Sequence, residues 1–121
     1  MKVTTWRGGA EFTIDEVPMP ELERGLVIVK VDSAGVCGTD VHVTQGLFTE
    51  WDPPMVLGHE FSGVIIEVGA GVPRGRIGED VACLPQPGCG ECGACRTWTI
   101  GHCESLPRRA EGFAEYALVD Q

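Results

Sequence analysis

At 121 residues with 43% hydrophobic side chains, the chain is sized for one soluble globular domain with a core of its own. A formal net charge of −9 gives no electrostatic footprint for a phosphate backbone, so nucleic acid is not an expected partner. No apolar run approaches the length of a membrane span.

In chain order, Met1-Lys2 leads into Val3-Thr4-Thr5-Trp6-Arg7, which is no apolar signal region. Six cysteines without an export signal imply a reducing, cytoplasmic setting. Glu11–Val17 is strand-like and is stopped by Pro18 and Pro20, with Gly25 in the turn that follows. Leu26–Val31 is a β-branched apolar run that predicts a largely buried strand. Residues 40–45 predict a brief helix, capped by Thr39 or Asp40 and ended by Gly46. Phe61–Val68 predicts a further strand with Gly63 as a candidate bulge, followed by strands over Asp80–Leu84 and Phe113–Val119. Seventeen glycines and eight prolines fit many turns and few long helices. There is no internal repeat, low-complexity tail or linker. The expected fold class is mainly β, a partly open barrel with short helices and a cysteine loop between the last two strands.

That loop, bracketed by Pro85, Pro87 and Pro107, carries Cys89, Cys92, Cys95 and Cys103 in a C-x2-C-x2-C-x7-C run. Thiolates this close in sequence converge on one tetrahedral ion, and four of them close its shell, which reads as structural zinc. Two rivals stand beside it. An iron–sulfur run of the C-x2-C-x2-C type continues x3-C-P, whereas here the fourth cysteine comes after seven residues and Glu104 follows it. Uncoordinated or oxidised thiols are the blander alternative. Glycines 88, 90, 93 and 101 give the segment the backbone freedom to wrap an ion, and it has little apolar content with which to fold otherwise.

A second constellation is Cys37 with His59 and Glu60. All three are zinc-ligand types, and three protein ligands plus water is the form of a catalytic site. It is not a metalloprotease helix, because HExxH would need His where Gly63 stands. On spacing alone, Cys37 reads equally as a small buried hydrophobe and His59 as a satisfied core histidine.

The strings G-V-C-G-T-D-V-H (35–42), P-M-V-L-G-H-E-F-S-G-V-I-I-E-V-G (54–69), G-E-D-V (78–81), C-G-E-C-G-A-C (89–95) and G-F-A-E-Y (112–116) occur in that order. Together they resemble the N-terminal catalytic domain of zinc-dependent medium-chain alcohol dehydrogenases, with its GroES-like fold, over nearly the whole chain. The Gly38-Thr39 pair is more like the polyol, sugar and threonine dehydrogenase branches. The resemblance implies a catalytic zinc at Cys37 and His59 with Glu60 as ligand or close partner, and a structural zinc at Cys89, Cys92, Cys95 and Cys103. It implies proton relay through Thr39 and His42, and Asp40 as the carboxylate that orients His59. Read from the residues alone, Thr39 is a helix cap and His42 a solvated surface histidine. The implied activity is oxidation of a small alcohol or polyol by hydride transfer to NAD or NADP, in a full-length form that is a homo-oligomer.

The resemblance covers residues 1–121 as one GroES-like domain, with a zinc lobe over about 86–104, and no nucleotide-binding Rossmann domain is read. The only glycine-rich candidate, Val68–Gly75, carries Pro73 and Arg74 and reads as a turn, so no residue is assigned to the cofactor. Some members of the family take a further zinc ligand from beyond this point; those that close the site with Cys, His, Glu and water need only what is here. The isolated chain is therefore expected to bind zinc with little or no turnover. The reading from a different class is a stand-alone zinc-stabilised β domain used for assembly. Cys83 is read as a buried strand cysteine, Trp6 as core or edge. Phe48, Trp51 and Met55 line either the substrate pocket or a packed loop. Trp98 and His102 lie inside the cysteine loop, and Arg96, Arg108 and Arg109 offset a tetrathiolate or are simply solvated.

Overall fold

The computed structural model of the chain describes residues 1–48, 51–83, 88–97, 102–105 and 111–120. Leu84, Pro85, Pro87, Trp98, Pro107, Arg108 and Arg109 lie outside the described residues. Among the described residues, seven strands and two short helices follow in the order β1 (Lys2–Gly8), β2 (Glu11–Glu16), β3 (Leu26–Gly35), α1 (Gly38–Thr44), β4 (Met55–Val56), β5 (Glu60–Val68), β6 (Asp80–Ala82), α2 (Gly93–Arg96) and β7 (Tyr116–Asp120). They form two antiparallel sheets, β2-β1-β4 and β6-β5-β3-β7, so the mainly β expectation holds. Among the described residues no helix is long and apolar enough to cross a membrane.

The centre of the larger sheet follows from composition. Leu26, Val27, Ile28 and Val29 are all buried, because β3 is flanked by β5 and β7 and covered on both faces. Val27 and Val29 pack with Phe61, Ile65, Val72 and Ala117 into one core. A second core joins Trp6 of β1, Val43 of α1 and Leu57, with Phe48, Trp51, Met55 and Phe113 packed against it. Trp6 is thus a core residue, and Phe48, Trp51 and Met55 are partly buried against that core.

Several boundaries differ from the sequence expectation. β3 runs four residues past Val31, to Gly35, carried by its pairing with β5. The last strand starts at Tyr116, because Phe113 and Glu115 bond to Thr4, Lys2 and Val31 instead of continuing a ladder. The β3–β5 register slips twice, at Ile66 in β5 and at Asp32 in β3, so Gly63 is beside a bulge without being the extra residue. Gly63 answers to close approach instead: a Cβ there would overlap the Lys30 carbonyl oxygen and press on Val29. Gly63→Ala is expected to cost about 1–3 kcal/mol, read as a lower urea midpoint at unchanged slope; an unchanged midpoint would show that the strands part without penalty.

α1 is capped by Cys37, not by Thr39 or Asp40. Asp40 sits at the third helical position, and its side chain reaches back to accept the Cys37 N–H at 2.9 Å. The helix ends as expected at Gly46, whose N–H bonds the Val43 carbonyl while the Leu47 N–H bonds that of His42. Val68 ends β5, residues 69–73 form a turn, and one 3-10 turn follows at Arg74–Arg76, so no α-helix opens there.

Candidate metal centres

Pairing of β3 with β5 sets Gly35 opposite Glu60. Cys37, just past the end of β3, and His59, just before β5, therefore arrive at the same end of the sheet. One ligand atom from each of Cys37, His59 and Glu60 lies within 4.8 Å of the others. Cys37 and His59 are half-buried and Glu60 is exposed, so the cluster opens to solvent on the carboxylate side.

Asp40 lies behind this cluster and is only 4% exposed. Its Oδ2 accepts the Cys37 N–H, and its Oδ1 accepts the Gly58 N–H at 3.4 Å and lies 3.4 Å from His59 Nδ1. With Nδ1 turned to the carboxylate, Nε2 is the ring nitrogen left for a cation. The Cys37 thiol donates to Thr39 Oγ1 across 3.8 Å, which places that hydroxyl beside the cluster. His42 is one turn beyond Thr39 on α1, exposed, with its ring 6.3 Å from that of Phe48; it is not a member of the cluster.

Three residues that carried no signal as ligands, Gly58, Gly112 and Phe113, hold the segment before His59 in place. Gly58 has φ +87°, and a Cβ on it would sit 2.6 Å from Phe113 Cδ1 and 2.8 Å from the Phe113 nitrogen. The Gly112 N–H donates to the Gly58 carbonyl at 2.7 Å, and the Phe113 N–H to the Leu57 carbonyl at 3.0 Å. The signal was present in the sequence as glycines beside His59 and Phe113, but their meeting is a long-range contact.

The four-cysteine cluster is built locally. One ligand atom from each of Cys89, Cys92, Cys95 and Cys103 lies within 4.8 Å of the rest, all four are half-buried, and all six cysteines of the chain are free. Backbone N–H groups point at the sulfurs: Cys89 to Cys103 at 3.3 Å, Cys92 to Cys89 at 3.4 Å and Cys95 to Cys92 at 3.5 Å. The Glu104 backbone, then that of Cys95, holds the Cys92 thiol down at about 6. A Gly90 backbone group favours the Cys95 thiolate, yet burial and the neighbouring thiols push that group up to about 12. Four sulfurs this close cannot all ionise unaided, and a soft or borderline dication removes the conflict, so the donor set fits zinc. His102 is exposed and outside the cluster, and Arg96, in the last turn of α2, is also exposed. Cys83 belongs to neither group: it packs half-buried against the first core just past β6, and burial raises its thiol above the usual cysteine value.

Residues 23–121 match the family model described as the Alcohol dehydrogenase GroES-like domain. The chain belongs to that family. The five ordered motifs and the two-sheet fold agree with it. The chain is 43% identical over 90% of its length to the starvation-sensing protein RspB of Escherichia coli, covering 33% of that protein. It is 37% identical over 98% of its length to L-threonine 3-dehydrogenase of Bacillus subtilis, covering 37% of it. The crystal structure of the Escherichia coli alcohol dehydrogenase rspB in complex with NADH superimposes with a TM-score of 0.86 at 39% identity, over 99% of this chain and 36% of that one. The chain thus spans about a third of the length of these relatives.

Proposed function

We propose that the chain is the zinc-binding catalytic domain of an oxidoreductase that oxidises a small alcohol or polyol to a carbonyl by hydride transfer to NAD or NADP. The observation that carries this reading is the meeting of Cys37, His59 and Glu60 at one open corner, with a buried carboxylate behind the imidazole and a separate four-thiol cluster. In this reading Cys37, His59 and Glu60 hold the catalytic zinc, and Cys89, Cys92, Cys95 and Cys103 the structural one. A zinc ion in the open site supplies a Lewis acid that eases loss of an alcohol proton. Asp40 fixes the His59 ring and tautomer through Nδ1. Thr39 presents a hydroxyl that both accepts and donates, so it takes the alcohol proton and passes one on. His42, three residues further along α1 and on the same helix face, is exposed and suited to hand that proton to water.

This reading assigns no residue of the chain to the nicotinamide. The enzyme is read as cytoplasmic and homo-oligomeric. Elemental analysis tests the site assignment. Two zinc ions per chain are expected, falling to one in Cys37→Ser; a parent chain with one zinc would leave only a zinc-stapled structural module. The 121 residues alone are expected to show little turnover, and alcohol-dependent reduction of NAD or NADP by them would overturn that.

A further inference from the structure

The motif 112–116 supplies no residue to either ligand cluster, yet it touches the chain on both sides of His59-Glu60. On one side, the Phe113 ring occupies the space where a Cβ on Gly58 would be, and the Gly112 and Phe113 N–H groups bond the Gly58 and Leu57 carbonyls at 2.7 and 3.0 Å. On the other side, a Cβ on Gly112 would overlap the ring of Phe61, the residue that follows Glu60. Phe113 is itself anchored: its carbonyl accepts the Thr4 N–H at 2.7 Å, and its ring packs on the core of Trp6, Val43 and Leu57. Val43 belongs to the same helix as Asp40.

From this juxtaposition we infer that Gly112-Phe113 is a bracket that positions the open metal site, with Phe113 a positioning residue for His59. It acts through Gly58. The ring backs the left-handed conformation of that glycine, which aims its N–H at the Asp40 oxygen that also faces His59 Nδ1. Without the ring, backbone hydrogen bonds alone hold the peptide before His59, and the imidazole loses part of the orientation that a ligand needs. The inference rests on the reading of Cys37, His59 and Glu60 as one metal site.

Cobalt titration of the metal-free, reduced chain tests it, because tetrathiolate and mixed Cys/His/carboxylate cobalt have different visible spectra. The parent is expected to take up two equivalents. In Phe113→Ala the tetrathiolate equivalent should bind as in the parent, while affinity for the mixed-ligand equivalent falls about 10–100-fold, the range for loss of a ligand's supporting contacts. Val72→Ala, which trims the other core, should lower the melting temperature without moving that second equivalent. Where Phe113→Ala does not fold, Phe113→Leu carries the test, with a smaller loss in the same direction. Parent affinity and spectrum in the tested Phe113 variant would overturn the bracket, as would an equal loss in Val72→Ala. A parent chain that takes up only the tetrathiolate equivalent would instead overturn the metal-site reading beneath it.

Discussion

Cys92→Ser should lower the melting temperature of the zinc-loaded chain far more than Cys37→Ser does. Cys92 is the N-cap of α2; its sulfur accepts the Cys95 N–H, and its own N–H bonds the Cys89 sulfur. Removing that sulfur opens the shell and unties the turn in the same step. A structural zinc in a small peptide contributes about 10–16 kcal/mol of apparent binding energy, which is on the scale of a whole domain's stability, about 5–15 kcal/mol. Few apolar side chains are present in the lobe to offset the loss. Cys37 is different: the Asp40 carboxylate bonds the Cys37 backbone, and a serine at 37 keeps a side-chain acceptor for the Asp40 N–H, so α1 keeps its cap. Cys37→Ser should therefore shed one metal and leave the fold. Calorimetry with zinc counting reads both, and trypsin adds a local probe, because exposed Arg96 should become a cleavage site in Cys92→Ser. Equal losses of stability from the two variants would refute this division of labour.

Gly58→Ala is the second large effect. The alanine would have to hold φ near +87° with its methyl group 2.6 Å from Phe113 Cδ1 and 2.8 Å from a backbone nitrogen. A non-glycine residue in a sparsely populated backbone region costs about 1–3 kcal/mol, and overpacking of a close contact costs about 1–3 kcal/mol more. The backbone nitrogen cannot swing aside as a flexible side chain would. The same change turns the Gly58 N–H away from Asp40 and shifts the residue that leads into His59. A loss of about 2–6 kcal/mol is expected from the two costs together, with the open-site zinc lost before the tetrathiolate one. Urea unfolding at fixed zinc, with the metal counted after dialysis, measures both. A variant with the parent's midpoint and zinc content would mean that the segment before His59 tolerates other geometries.

What the sequence disclosed and what it hid divide along the range of the interactions. β3 and β5 were legible because apolar, mostly β-branched residues run through Leu26–Val29 and Val64–Val68; β3 is buried throughout its run, whereas β5 alternates, with Phe61, Gly63 and Ile65 buried. The thiol cluster was legible because all four sulfurs lie on one short loop. β1 passed unread: its apolar positions, Val3 and Trp6, fit no single period, and its burial comes from pairing with β2 and β4. β4, at two residues, is too short to carry a pattern. Cys37 and His59 were suspects as residue types, but spacing could not bring them together. That takes the register in which Gly35 faces Glu60, a property of two strands distant in the chain. The helix cap was misassigned for a related reason. Asp40 looked like a start signal, whereas it stands inside the helix and reaches back.

That one carboxylate couples the open site to α1, although the helix keeps its cap when the metal is lost. At seven residues, α1 is too short to persist in water by itself, where helices below about 12–15 residues are marginal. Its first turn depends on an acceptor that also serves the imidazole of residue 59. By reciprocity, a cation that firms the imidazole steadies the helix, and whatever unwinds the helix loosens the cation. Ordering of Gly38–Thr44 is then a gauge of occupancy at the corner beside it.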